Sequence, residues 1–595
     1  MSHVDFTSLP SKSKSFFFNF GTIGDFASGW FIAWPQGMSY AAWKNLLIRH
    51  LWFIGSRVCL RKPKNRRRSL HWKVIRARSR QRDGSVQTQI KTVVNELETC
   101  PHGNKEDVKL ELITMLKKFL ERKDIFQHIE NTIPDRRNPK LITYSKQSVV
   151  MCALAIFLLR MGSGNKFDNK GHDADEEYSI RNMAKFIGAP EDRVPVIKTI
   201  EKFLKNLEEN AINDLLISFF QDLLASKFFK QHPNIMFGDF FLLAADCVHT
   251  HTYDHLHHMD AHGNNDCPCC LKRVYHKGTE KEQVRWLHTT LVYCFVFMGK
   301  LKIPIYRYPI HAKQIHSLED ASEHDHKQEC ELVALKVTLP IIRQAFPRMK
   351  IVLLLDGLYA NRPVLQLALE HAFGFIIVKK DDCLTTLGRE CDEHAATLNH
   401  RKNCVKRCRK EREGWLIEER YEWFNDRYLG DDVTTHVLRF YETRTKEGKK
   451  PESYKCEWLF SWRLSENSCE AAVRQARARW QEEDLFNTLK NRDFALEHDY
   501  SRDPRSCFNW HGISLLAFGI FELFRFSECV VQRGDWPQAT LAEKLLGQLL
   551  HRPTVELFSE KHLSKRIQFR YNFVVEPIHS KVINQVNFEL KLKSG

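Results

Sequence analysis

Acidic side chains are in short supply in this 595-residue chain, which holds 73 Asp and Glu against 90 Lys and Arg, a formal net charge of +17. A deficit of acid argues against a cationic partner and for a polyanionic one, with nucleic acid ahead of an anionic membrane surface. No secretory leader is recognisable, and the 17 cysteines are scattered through a large chain. That combination points to a reducing compartment and away from a disulfide framework. Long apolar runs are also lacking in the aromatic stretch 16–60, which Asp25, Pro35, Lys44, Arg49 and Arg57 interrupt. No proline-free, uncharged run of about 18 residues survives there, so it is read as packed or interfacial and not membrane-spanning. With 43% hydrophobic and 27% charged residues, the chain reads as soluble, cytoplasmic and free of membrane partners. Its length suits about three domains.

What the sequence does have begins with a basic cluster, Arg61-Lys-Pro-Lys-Asn-Arg66-Arg67-Arg68, followed by Lys73, Arg76, Arg78, Arg80 and Arg82. Such clustering suits phosphate neutralisation, with a solvated linker as the plainer alternative. From about 105 to 230 apolar residues recur at three- and four-residue steps, the mark of amphipathic helices. Within that region 179–188 followed by 194–204 has the form of a helix-turn-helix with Gly188 near the turn, although an ordinary helical hairpin fits equally.

The middle of the chain alternates strand and helix patterns. The apolar run 240–245 leads to Asp246, and Leu291 to Met298 and Ile303 to Ile310 flank Gly299-Lys-Leu-Lys as a hairpin. A helix over 328–345, a strand over 350–355, a helix over 363–372 and a strand over 375–378 follow. Three strands, then helix, strand, helix, strand, is the ribonuclease-H-like order, whose parallel part gathers acids at strand carboxyl ends. Asp246 and Asp356 both follow such apolar runs. Between Asp356 and Glu483 lies more chain than one strand needs, and 415–424, 435–443 and 456–464 read as strands of a β-rich insertion. Trp415, Trp423, Trp458 and Trp462 there offer flat faces for an unpaired base, sheet packing being the commoner use of tryptophan.

The third acid belongs to Arg479-Trp-Gln-Glu-Glu483-Asp-Leu-Phe-Asn-Thr-Leu-Lys490, in which steps of four and seven return Arg479, Glu483 and Lys490 to within about 40° on one helical face. Three acids brought together repel one another unless divalent cations neutralise them. Carboxylates suit magnesium or manganese, and two such ions can drive phosphodiester hydrolysis. Asp246, Asp356 and Glu483 are therefore the candidate catalytic metal ligands, and Arg479 and Lys490 the candidate phosphate-holding cations. Glu482, about 100° away and out of step with Lys490, is the rival third acid.

With Arg479, Glu483 and Lys490 at this spacing, and with Asp356-Gly-Leu-Tyr-Ala-Asn361, the chain resembles bacterial DDE transposases of the insertion-sequence-four group. Their signature is Tyr-x2-Arg-x3-Glu-x6-Lys; Ala476 stands at its Tyr position. The resemblance spans roughly 235–525. It implies a cut-and-paste transposase that binds terminal inverted repeats, cleaves each end with two Mg or Mn ions, in some members through a DNA hairpin, and joins the ends to target DNA. It also implies a β-rich insertion before the glutamate and a homodimer in the end-paired complex on the bacterial nucleoid. Two alternatives stay open: a metal-dependent nuclease of the same fold without strand transfer, and a domesticated, non-catalytic DNA-binding protein.

The expected organisation is α/β: an aromatic then basic region (1–100), a mostly helical, candidate DNA-binding region (101–232), and a ribonuclease-H-like core (233–384) carrying a His/Cys-rich insertion at 247–288. A β-rich insertion (385–466), the last part of the core with the glutamate helix (467–530) and a C-terminal region (531–595) complete it. The His/Cys insertion contains Cys267-Pro-Cys-Cys270, whose two-residue gap suits a structural zinc completed by nearby histidines. A second Cys-x2-Cys pair at standard spacing is lacking, and reduced thiols in a polar loop are the alternative. The tail is expected to be helical over 536–557 and strand-like over 566–582.

Overall fold

The computed structural model describes residues 110–575, except 172–177, 191–192, 256–266, 312–322, 398–401, 412–413, 431–432, 492–493, 535 and 574, together with the backbone of two short strands nearer the N-terminus. Residues 1–109 and 110–595 form two separate units. In the first, β1 (Ser15–Phe17) pairs antiparallel with β2 (Phe31–Ala33). Arg66, Arg67 and Arg68 lie outside the described residues.

The second unit opens with helices α1 (Leu112–Arg122), α2 (Ile125–Thr132), α3 (Lys146–Leu158), α4 (Gly164–Gly171), α5 (Ser179–Ile187), α6 (Ile197–Lys205) and α7 (Ala211–Ala225). Local chemistry sets their ends. Ser145 caps α3 by accepting from the Ser148 amide, and Gly188 ends α5 in the left-handed conformation at φ 71°. Pro195 delays α6, whose N-cap is Val196. In the candidate helix-turn-helix, Met183, Phe186 and Ile187 of α5 and Ile200, Phe203 and Leu204 of α6 are buried in the common core.

Ten strands form one mixed sheet: β3 (Phe241–Tyr253), β4 (Leu271–Tyr275), β5 (Gln283–Val296), β6 (Lys302–Pro309), β7 (Ile351–Leu355), β8 (Gly374–Lys379), β9 (Cys404–Lys410), β10 (Leu416–Tyr428), β11 (Thr434–Thr445) and β12 (Glu452–Phe460). The fold is α/β. Strand β5 takes β4 along its first half and β6 along its second, and the order then runs β5-β3-β7-β8-β12-β11-β10-β9. Only β3 with β7 and β7 with β8 are parallel. Parallel neighbours need crossovers, supplied here by α8 (Glu323–Ala345) and α9 (Arg362–Glu370). The expected hairpin at Gly299 joins β5 to β6, with Gly299 at φ 74°.

After β8 the chain forms α10 (Thr385–Ala395) before the four-stranded meander β9–β12, which β12 welds to β8. The extra β-structure thus prolongs the main sheet. Trp423, Trp458 and Trp462 are buried in it, which corrects the base-stacking expectation for those three; Trp415 instead lies within reach of the Lys446 and Lys449 amines. Next come α11 (Cys469–Arg477), α12 (Trp480–Asn491), α13 (Pro504–Arg525) and α14 (Gln538–His551).

Helix α13 is the one described helix long and apolar enough to cross a bilayer, and it is wholly buried in the protein. It packs on α3, α6 and β6, and α14 packs on α1 and α5, so the helices before and after the sheet share one core. Two expectations need correction. The segment 247–288 is no simple loop insertion, because β3 continues to Tyr253, β4 lies within it and β5 starts at Gln283. In the tail, the described part of 566–582 contributes only an isolated pairing of Tyr571 with Ser527.

Candidate active site and metal centre

Parallel pairing of β3 with β7 matches Phe241 to Ile351 and continues to Ala244 opposite Leu354. Carried on by two residues, the same register sets Asp246 opposite Asp356. The two acids therefore stand side by side where the parallel strands part. Asp246 lies inside β3 and not at its end, since β5 keeps pairing with β3 well beyond it. Asp356 does terminate β7. Its Oδ1 accepts from the Leu358 amide at 2.9 Å, fixing the turn Gly357–Tyr359.

Arg479 occupies the turn between α11 and α12 and ties the third acid to the first. Its guanidinium lies 3.6 Å from Asp246 Oδ2 and hydrogen-bonds Glu483 Oε1. Burial opposes the Arg479 charge, but Glu483, Asp246 and Asp356 outweigh it and raise its pKa. Burial, and then the Asp356 charge, pushes the Asp246 carboxyl up to about 6. The ligand oxygens of Asp246, Asp356 and Glu483 do not close into a cluster of the tightness seen among the His and Cys groups described below. Glu483 is instead turned onto Arg479.

The inner face of α12 is Glu482, Leu485, Phe486 and Leu489, at steps of three, four and seven. Beside that face Asp484 pairs with the buried Lys302 of β6, holding α12 against the sheet. Glu483 is left on the open side, with its side chain 54% exposed. Glu482 points the other way. Neither of its oxygens makes a well-formed hydrogen bond, although the Asp246 backbone favours the charged form slightly. Burial, reinforced by Asp246, raises its pKa well above the usual carboxylate value. Lys490 stands at the far end of α12, where its amine pairs with Glu497 Oε1 at 3.0 Å, away from Glu483. Ala476 is buried in the last turn of α11.

Two residues of this site escaped the sequence reading. Lys380, just past β8, brings its amine to 4.0 Å from Asp356 Oδ2, and Trp480 beside Arg479 is 48% exposed. The signal for Lys380 was its place after an apolar strand parallel to the one that precedes Asp356. An exposed tryptophan has no such signal, because indole usually goes inside.

The expected zinc residues Cys267 and Cys270 are buried beside His288, and the ligand atoms of the three lie within 4.8 Å of one another. A second triad, His251, His288 and Cys507, meets the same limit and shares His288. No family model matches the chain, and no curated protein matches it.

Proposed function

We propose that this protein is a DNA-cutting and DNA-joining enzyme of the DDE type, a cut-and-paste transposase. The observation that carries the reading is the juxtaposition of Asp246 and Asp356 on neighbouring parallel strands, with Glu483 linked to Asp246 through Arg479. The strand sequence β6-β5-β3-β7-β8, antiparallel twice and then parallel twice, supports a ribonuclease-H-like core. The resemblance at Arg479, Glu483 and Lys490 supplies the choice of transposition over other phosphodiester chemistry.

The three acids fit a magnesium or manganese site because they are hard oxygen donors, and burial together with the Asp356 charge already pushes the Asp246 carboxyl up to about 6. Asp246, Asp356 and Glu483 would hold the ions, which when bound lower the pKa of water and offset charge on the leaving oxygen. The chain's own part is orientation. The Leu358 amide holds the Asp356 carboxylate, and the Lys302–Asp484 pair fixes the rotation of α12 so that Glu483 faces outward. Arg479, beside Asp246, and Lys380, beside Asp356, would offer donors for a scissile phosphate. Trp480 offers an exposed ring for a base unstacked at the cleavage point. Ala476 has no polar group, so any hairpin route proceeds here without a contact from that position.

The test uses DNA carrying the sequences that flank the gene, with magnesium or calcium, and wild type or Glu483→Gln. Expected are discrete magnesium-dependent cuts at repeat boundaries and joining of labelled ends to a plasmid, both lost in the variant. Cuts without joining would reassign the protein to the nuclease reading. DNA bound but uncut in every condition would reassign it to a DNA-binding role.

A further inference from the structure

Beyond Asp246 the strands build a second constellation. β3 runs on to His251, which stands opposite His288 of β5. On the other side of β5, the antiparallel register of β4 matches Leu271 to Leu287, and one step back it sets Cys270 against His288. Cys270, His288 and His251 thus form one rung across three strands. Cys267 joins from the turn before β4, where its carbonyl accepts from the Cys270 amide at 3.5 Å. Helix α13 supplies Cys507 one turn from its start.

All five side chains are buried. His288 Nε2 lies 3.3 Å from Cys267 Sγ and 3.2 Å from Cys270 Sγ, while Cys507 Sγ lies 3.5 Å from His251 Nδ1. Zn–S and Zn–N bonds of about 2.3 and 2.0 Å at tetrahedral angles put S and N about 3.5 Å apart, close to the two His288 spacings. A network of thiols and imidazoles alone explains them less well. A single ring nitrogen cannot make a full hydrogen bond to two sulfurs at once, whereas an ion between them serves all three. His251 places Nε2 3.1 Å from the His498 carbonyl and turns Nδ1 to Cys507, the way residues around a metal are held by backbone.

We propose that Cys267, Cys270 and His288 hold one structural zinc ion, on which Cys507, grouped with His288 in the second triad, closes as the fourth ligand, with His251 positioning Cys507. Cys507, in the first turn of α13, completes the soft thiolate-rich donor set that zinc prefers. The ion would join residues more than 200 positions apart and clamp α13 to β5, the strand paired with the one that carries Asp246. The proposal is independent of the enzymatic reading.

Full-length protein produced in zinc-supplemented medium and dialysed is expected to retain one zinc per chain by elemental analysis. Cys267→Ser, His288→Ala and Cys507→Ser should each lose most of it. His251→Ala should weaken zinc affinity about 10–100-fold, and His276→Ala, on the exposed turn after β4, should change nothing. Full retention by Cys507→Ser would overturn the ligand set, and wild type that binds no zinc would overturn the site. Because ligand variants of a structural site can fail to fold, the wild type is also titrated with a mercurial thiol reagent in the presence of a zinc-reporting dye. Release of one zinc per chain as thiolates react is the expected result; no release overturns the proposal. Neither readout depends on DNA cleavage.

Discussion

Asp246 and the two glutamates of α12 carry charges that the fold treats in three ways. Glu483 is open and Arg479-bound, Glu482 is sealed with its pKa raised well above the usual value by burial, and Asp246 lies between with its pKa pushed up to about 6. Because Glu482 sits on the apolar stripe of α12, Glu482→Gln or Glu482→Leu should leave magnesium-dependent cutting within about threefold of wild type. Glu483→Gln should abolish it, since a lost metal-binding group costs several kcal/mol of transition-state stabilisation, about 10³-fold or more. The reverse outcome would make Glu482 the third acid. Asp246 gives a pH test. A carboxyl whose folded pKa is raised binds its proton more tightly folded than unfolded, so its favourable contribution is complete below the unfolded value near 4 and is lost as pH climbs through about 6. In EDTA, where burial, Asp356 and Glu483 oppose the Asp246 charge and Arg479 only partly offsets them, Asp246→Asn should therefore raise stability at pH 7.5 by on the order of 1–3 kcal/mol. The gain should vanish near pH 4. Denaturant titration of both proteins at the two pH values measures it, and an equal gain at both would remove the electrostatic explanation.

Helix α13 sets tight limits on substitution, because it is the element against which both the helical layer and β6 close. A Cβ added at Gly512 would meet Ile212 Cγ2 at 2.5 Å and Arg307 Nε at 2.6 Å. Arg307 itself is fully buried, donating to Asn213 Oδ1, the Phe508 carbonyl and Asn509 Oδ1, and burial draws its pKa down to about 9. In an exposed helix Gly→Ala would gain about 1 kcal/mol. Here overpacking should reverse the sign, and Gly512→Ala should destabilise by about 1–3 kcal/mol, read as a lowered denaturation midpoint. A neutral or stabilising result would mean that Arg307 can move aside. Elements like this also show how much the sequence displayed. The strand–helix alternation through Asp246 and Asp356 was legible because buried parallel strands are short apolar runs next to helical periodicity. Thr250 and His251 read as part of a polar insertion, for their burial comes from β5 and α13 and not from their own hydrophobicity. Cys507 was illegible as a neighbour of Cys267 and Cys270, since nothing local signals a contact across such a separation. Arg479, Glu483 and Lys490 were legible as a spacing, but the Lys490–Glu497 pair and the start of α12 after Arg479 follow from packing that no spacing encodes.

Charge is unevenly shared along the whole molecule. Residues 1–109 hold 19 Lys and Arg against 7 Asp and Glu, an excess of 12 out of the chain's 17. The acid-bearing unit that begins at Leu110 is therefore close to balanced for its size, and the long-range attraction for a polyanion belongs mostly to the N-terminal unit. Arg66, Arg67 and Arg68 are its densest point. Each phosphate that a cation neutralises steepens the fall of log affinity with log salt by about 0.9 on duplex DNA. Replacing the three arginines by alanine should flatten that slope by about 2–3 units for any DNA sequence and weaken binding most at low salt. Asp246, Asp356 and Glu483 lie in the other unit and do not contribute to this term, so Asp356→Asn should leave the slope unchanged while stopping catalysis. Binding isotherms at four or five salt concentrations for wild type and the two variants separate the effects. A slope that is unaffected by the arginine changes would show that 61–68 does not touch phosphate, and would shift the DNA contact to the basic residues beyond Leu110.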